Sequence, residues 1–154
     1  MRKLCSEVLA ALEGRTLVTA ESLTGGGIGS ALTAISGSSA VYKGGIISYT
    51  NQVKQELLGV PGEILARFGA VSEPVAKAMA EGARRVLRSD VAVSVTGLAG
   101  PGGDEYGNPV GTVFIGYCDG EKTLVKHCLF AGSREEVREQ TVREALTMVL
   151  ENQK

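Results

Sequence analysis

Ser22 lies in the run Thr19-Ala20-Glu21-Ser22-Leu23-Thr24-Gly25-Gly26-Gly27, where an apolar stretch gives way to a glycine-rich turn just before a helical pattern. Such a turn exposes a hydroxyl beside unpaired backbone N–H groups. Two chemistries suit it: the serine attacks an acyl group while nearby donors hold the oxyanion, or the loop binds an anion such as phosphate. Residue types alone leave both open. A serine nucleophile needs a base to take its proton. The single histidine, His127, falls inside an alternating strand pattern far along the chain from either glycine loop, so a packing or solvent-facing role suits it better than a Ser-His-Asp arrangement. Lysine is then the remaining base. Lys54 falls in the first turn of a short helical pattern, where the positive end of the helix dipole disfavours an ammonium by about 0.3–1 kcal/mol. Lowering its pKa from about 10.4 toward 7 requires about 4–5 kcal/mol, so desolvation or a second cation must carry most of the shift. On sequence physics alone the same residue also fits a solvated surface lysine.

Further polar residues gather around these two. Tyr49 and Asn51 are close along the chain to Lys54 and suit proton relay or ligand binding, although a strand tyrosine also packs. A second glycine-rich loop, Thr96-Gly97-Leu98-Ala99-Gly100-Pro101-Gly102-Gly103, offers Thr96 and backbone N–H groups to polarise a carbonyl or hold a phosphate. Arg134 and Arg138, four apart on a helical pattern, could clamp a phosphate together or form surface ion pairs with Glu135 and Glu139. Glu21 could orient a base or cap a helix, and its role stays open. Cys5, Cys118 and Cys128 are odd in number and lack both CxxC spacing and His partners, so we expect small buried thiols, not a disulfide framework or a zinc site.

The elements that must position these residues follow from periodicity. Leu4, Val8 and Leu12 recur at helical spacing up to Gly14. Thr16–Ala20 is a short strand, and Ile28, Ala31, Leu32 and Ile35 form a helical stripe closed by Gly37, so Ser22 sits on a strand-to-helix crossover. Gly45–Thr50 reads as a second strand, and Asn51 as the N-cap of a helix reaching Leu58. A short helix over 61–68 and a longer one capped by Ser72 follow. Val91–Val95 is the third strand and runs straight into the second glycine loop. Residues 110–117 and 123–130 flank Asp119-Gly120 as a hairpin, and Ser133 with Glu136 forms a capping box for the last helix. Strands alternating with helices, plus one hairpin, predict an α/β fold: a single-domain layered sandwich over 1–154, with a mixed β-sheet flanked by helices and the ligand site at the strand carboxyl ends.

Bulk composition narrows the partners. The chain has 154 residues, 44% hydrophobic and 21% charged, with a formal net charge of −1, so any anion site must be local; neither nucleic acid nor an anionic membrane is favoured. No apolar run approaches a membrane span, and we expect a cytoplasmic protein.

Taken together, Ala20-Glu21-Ser22-Leu23-Thr24-Gly25-Gly26, Tyr49-Thr50-Asn51-Gln52-Val53-Lys54 with Leu57-Leu58-Gly59-Val60, and Val95-Thr96-Gly97-Leu98-Ala99-Gly100-Pro101 resemble the CinA C-terminal domain, the nicotinamide-nucleotide amidase family. Pro109-Val110-Gly111-Thr112-Val113 and Phe130-Ala131-Gly132-Ser133-Arg134 continue the resemblance over nearly the whole chain, and five ordered motifs are far more specific than one glycine loop. The resemblance implies hydrolysis of the carboxamide of nicotinamide mononucleotide to nicotinic acid mononucleotide and ammonia, without metal or cofactor. It makes Ser22 the nucleophile, Lys54 the general base, and Tyr49 and Thr96 helpers in proton transfer and orientation. Thr24, Gly25, Gly26, Asn51, Gly97, Gly100, Arg134 and Arg138 are the expected substrate contacts. Two residues depart from the pattern: Leu23 stands where the family often has Cys, and Asn108 where a Lys usually precedes Pro-Val-Gly. Some members carry an additional N-terminal domain, and this chain resembles the stand-alone form or an excised domain. We expect a small-molecule nucleotide as partner, and a homo-oligomer.

Overall fold

The computed structural model describes residues 1–153. Five strands form one sheet in the order β2-β1-β3-β4-β5: β1 is Leu17–Glu21, β2 Tyr42–Ile47, β3 Val91–Gly97, β4 Thr112–Cys118 and β5 Thr123–Leu129. The first strand runs parallel to β2 and β3, while β4 pairs antiparallel with both β3 and β5. The sheet is therefore mixed, as the alternation of strands and helices predicts. Its three inner strands, β1, β3 and β4, are buried almost throughout, in keeping with β-rich apolar runs covered on both faces.

Helices cover both faces. On one side α1 (Arg2–Ala11), α2 (Gly27–Thr33) and α6 (Arg134–Glu151) pack together over the larger core, which contains Leu12, Leu17, Ile28, Leu32, Val93, Ile115, Tyr117 and Leu146. On the other, α3 (Asn51–Leu58), α4 (Gly62–Phe68) and α5 (Glu73–Val86) enclose Val18, Ala20, Leu58, Leu65, Val75 and Met79. Period-two alternation along β1 sends Leu17 to the first core and Val18 and Ala20 to the second. No described helix is long and apolar enough to cross a membrane.

Several boundaries differ from the sequence reading, each for a local reason. The second strand spans Tyr42–Ile47, not 45–50, because Gly44 and Gly45 lie inside it; a Cβ on Gly45 would sit 2.2 Å from Thr19 Oγ1, so the neighbouring strand demands a glycine in mid-strand. Tyr49 consequently leaves the sheet and sits in the connection to α3. That helix is capped by Thr50, not Asn51: the Thr50 side chain accepts from Val53 N at 3.3 Å, which makes Lys54 the fourth helical residue. Thr96 belongs to β3. Ser72 occupies the N-cap position of α5, yet its hydroxyl donates backward to Gly69 O at 2.8 Å. The capping box at Ser133 and Glu136 forms as expected.

Candidate active site

At the end of β1 the chain turns sharply, and the Ser22 N–H donates to Val95 O of β3 at 3.1 Å. The serine thus sits where the carboxyl ends of the two central parallel strands meet, the usual ligand position in α/β sheets. Gly25 and Gly26 adopt φ of +57° and +100°, a region L side chains enter reluctantly, and Gly25 N closes the turn on Ser22 O at 3.1 Å.

Glu21, left open by the sequence between orienting a base and capping a helix, fills the start of α2. It is 2% exposed, and its carboxylate accepts from Thr24 Oγ1 at 2.7 Å, Ile28 N at 2.8 Å and Gly29 N at 3.0 Å. Those two N–H groups are among the orphan donors that would otherwise attract an external anion. With an internal carboxylate seated on them, this glycine turn does not offer α2 to a phosphate, and the balance between the two chemistries moves toward acyl transfer.

Lys54 reaches the same place from α3. It is 1% exposed, and its Nζ lies 3.0 Å from Ser22 Oγ, 2.7 Å from Ser48 O and 3.4 Å from Tyr49 O. The two carbonyls can only accept, so they hold two amine hydrogens and leave the third position, a lone pair in the neutral amine, facing the serine hydroxyl. Burial lowers the Lys54 pKa to about 8. Desolvation is thus the main cause, as the small size of the dipole effect required.

Thr96 is buried, and its hydroxyl donates to Ala70 O at 2.8 Å, leaving only lone pairs for a ligand. Tyr49 is 60% exposed at the rim; its hydroxyl oxygen accepts from Arg134 Nη2 at 3.2 Å, while Arg134 Nη1 donates to Gly100 O at 2.7 Å. Ser22, Lys54, Tyr49, Asn51, Thr96, Gly97, Gly100 and Arg134 all line one cleft of about 940 Å³. Thr24, Gly25, Gly26 and Arg138 do not line it. The Thr24 hydroxyl is spent on Glu21. Arg138, expected to clamp a phosphate beside Arg134, instead donates from Nε to Leu23 O at 2.9 Å and from Nη2 to Thr24 O at 3.2 Å, so it braces the serine turn from behind.

Part of the far wall went unnoticed in the sequence. Tyr106 lines the cleft and anchors the loop after β3 by donating to Ala66 O at 2.8 Å. Asn108 knits that loop together, donating to Asp104 Oδ2 at 2.7 Å and Val71 O at 3.2 Å; it does not itself face the cleft. The one available signal was the clustering of turn formers over 100–108. His127 stacks on Phe114 with ring centroids 4.4 Å apart, away from the cleft, and the three cysteines are free and buried. Among the described residues, no group of three His, Cys, Asp or Glu side chains is placed to hold a metal ion.

Comparison with known proteins places this geometry among relatives. The model of the CinA C-terminal domain matches residues 1–153. A CinA-like protein of Parasynechococcus marenigrum (strain WH8102) is 59% identical over 114 residues, 73% of this chain and 27% of the relative. One from Synechococcus sp. (strain RCC307) is 52% identical over 150 residues, 95% of this chain and 36% of the relative. The chain therefore spans about a third of the length of these curated relatives. Among solved structures, the competence damage-inducible protein A of Klebsiella pneumoniae superposes with a TM-score of 0.96 at 38% identity, covering 98% of this chain and 95% of that one. A competence/damage inducible protein of Agrobacterium tumefaciens gives 0.94 at 42% identity, covering 97% and 93%.

Proposed function

The chain belongs to the CinA C-terminal domain family, and from that premise we propose that it hydrolyses the carboxamide of nicotinamide mononucleotide, giving nicotinic acid mononucleotide and ammonia. The observation that carries the proposal is the 3.0 Å contact between Lys54 Nζ and Ser22 Oγ, with Nζ also held by Ser48 and Tyr49 carbonyls. In the proposed reaction, Ser22 Oγ attacks the amide carbon as its proton passes to neutral Lys54. The tetrahedral oxyanion collapses with loss of the C–N bond, and Lys54 returns the proton to the departing nitrogen as ammonia leaves. Water then attacks the acyl ester, giving its proton to Lys54, which restores it to Ser22. One residue serves as base and acid in both half-reactions.

The helpers act from the rim and the floor. The Tyr49 hydroxyl accepts from Arg134 and keeps its own proton to donate to the substrate. The Thr96 proton is engaged on Ala70 O, so this hydroxyl presents an acceptor to the amide N–H. Filling of the α2 start by Glu21 weighs against the alternative, a non-catalytic nucleotide-binding module in which the first glycine turn holds phosphate.

Incubating the protein with nicotinamide mononucleotide and measuring ammonia tests the assignment. Release should accelerate as pH rises from about 6 through 8, because the base must be deprotonated, and should level off above the Lys54 pKa of about 8. No release by folded protein anywhere in this range defeats the assignment. Ser22→Ala should abolish turnover while preserving affinity, whereas a pure binder would lose only a little affinity.

A further inference from the structure

We propose that Arg138 is a positioning residue that, through the Thr24–Gly25 peptide, presents the Leu23 N–H group as an oxyanion-binding donor of this site; the inference rests on the acyl-transfer chemistry assigned to Ser22 above. Three successive carbonyls of the turn are tied down. Gly25 N holds Ser22 O at 3.1 Å, and the Arg138 guanidinium holds Leu23 O at 2.9 Å and Thr24 O at 3.2 Å. All three peptides are trans, since Gly100-Pro101 is the one cis bond among the described residues. In a trans peptide the carbonyl and the N–H lie on opposite edges of one plane. Holding Thr24 O on Arg138 therefore turns the Gly25 N–H to the opposite edge, where it holds Ser22 O, and that bond in turn directs the Leu23 N–H away from the closed turn.

The Leu23 N–H has no acceptor among the described residues, although Leu23 is only 4% exposed and lines the cleft. A buried backbone donor without a partner is costly, and the great majority are paired. Such a donor directly after a serine that contacts a buried lysine matches the composition of a preorganised oxyanion site. Arg138 suits the bracing task because its rigid, planar fork spans two carbonyls at once. A cation hydrogen-bonded to a carbonyl also draws electron density through the peptide, which strengthens the N–H on the opposite edge as a donor. Arg134, one turn earlier, points into the cleft, whereas Arg138 does not line it.

Arg138→Met and Arg138→Lys, compared with the native protein, test this in two assays. The first is ammonia release from the mononucleotide, resolved into kcat and KM across pH. The second is labelling of Ser22 by an alkyl fluorophosphonate, in which Oγ bonds to phosphorus, fluoride leaves, and Lys54 takes the proton. For Arg138→Met we expect kcat and the labelling rate to fall together by about 10- to 100-fold with KM nearly constant, and the pH midpoint to stay where Lys54 sets it. Arg138→Lys should recover part of the loss by holding one carbonyl, and keeps the site testable if the Met variant folds poorly. A rise in KM with kcat and labelling retained would make Arg138 a substrate clamp and overturn the proposal. So would rates unchanged in both variants, or a shifted pH midpoint, which would mean that Arg138 acts on Lys54. Native protein that labels but releases no ammonia defeats the substrate assignment alone, and the labelling arm still decides the part played by Arg138. A native Ser22 that does not label defeats both.

Discussion

Burying Lys54 beside Ser22 destabilises the folded state, and its titration gives the sign. The folded pKa of about 8 lies below the unfolded value of about 10.4. Above the higher value both states hold a neutral amine and no penalty exists; as pH falls through this window the unfolded chain gains a proton that the folded site resists. The native protein should therefore lose stability relative to Lys54→Met by on the order of 3 kcal/mol between about pH 10.5 and pH 7. Denaturant titrations of both proteins at the two pH values measure the difference; a gap independent of pH means the lysine is not desolvated. The same variant should lose amide hydrolysis entirely, so stability at neutral pH and activity are opposed at this residue. Ser22 and Lys54 were legible as a pair because a serine nucleophile needs a base and the single histidine lies elsewhere. For Glu21 helix capping was one of two open readings, and the choice was not legible because its partners are backbone N–H groups seven and eight residues further on. Nor was Arg138: spacing put it on a helix face with Arg134 but did not reveal that its guanidinium meets carbonyls more than a hundred residues earlier in the chain.

At the scale of elements, the site depends on where α2 and α3 begin. Glu21→Ala should cost about 1–3 kcal/mol by leaving the buried Ile28 and Gly29 N–H groups unpaired, with Glu21→Gln intermediate because an amide oxygen can still accept from one of them; thermal melts rank the three. The placement of α3 is set by its contact with α5, where a Cβ on Gly82 would lie 1.9 Å from Leu58 O. Gly82→Ala should force the helices apart, at about 1–3 kcal/mol, and should reduce the rate of Ser22 labelling because α3 carries Lys54. Retained stability and labelling would show that the helix pair has slack. Helix existence was readable from apolar spacing for α1 and α2 and largely from cap residues for the later helices, with the capping box announcing α6. Strand β2 was misplaced because glycines look like punctuation in a sequence, while Gly44 and Gly45 are interior to the strand, with Gly45 pressed against Thr19. Thr50 displaced Asn51 as the cap because both are good cap formers and the choice depends on where the preceding strand releases the chain.

For the whole molecule, an α/β class and a mixed sheet followed from the alternation of elements, but the strand order β2-β1-β3-β4-β5 did not, because pairing between distant strands leaves little trace in local pattern. The two cores flank that sheet and should be separable from the chemistry. Leu146→Ala, in the larger core, should cost about 2–5 kcal/mol while leaving the pH dependence of hydrolysis unchanged; a moved midpoint would reveal coupling between that core and Lys54. The site draws on both sides of the sheet, with Lys54 from α3 on one face, Arg138 from α6 on the other, and Glu21 at the end of a central strand. Transplanting the Ser-Lys pair onto another α/β scaffold would therefore fail if only the two reacting residues were moved. The graft must bring Glu21 along, because without that resident counter-anion the exposed helix start would recruit buffer phosphate or sulfate, and the transferred turn would become an ion trap next to an idle serine.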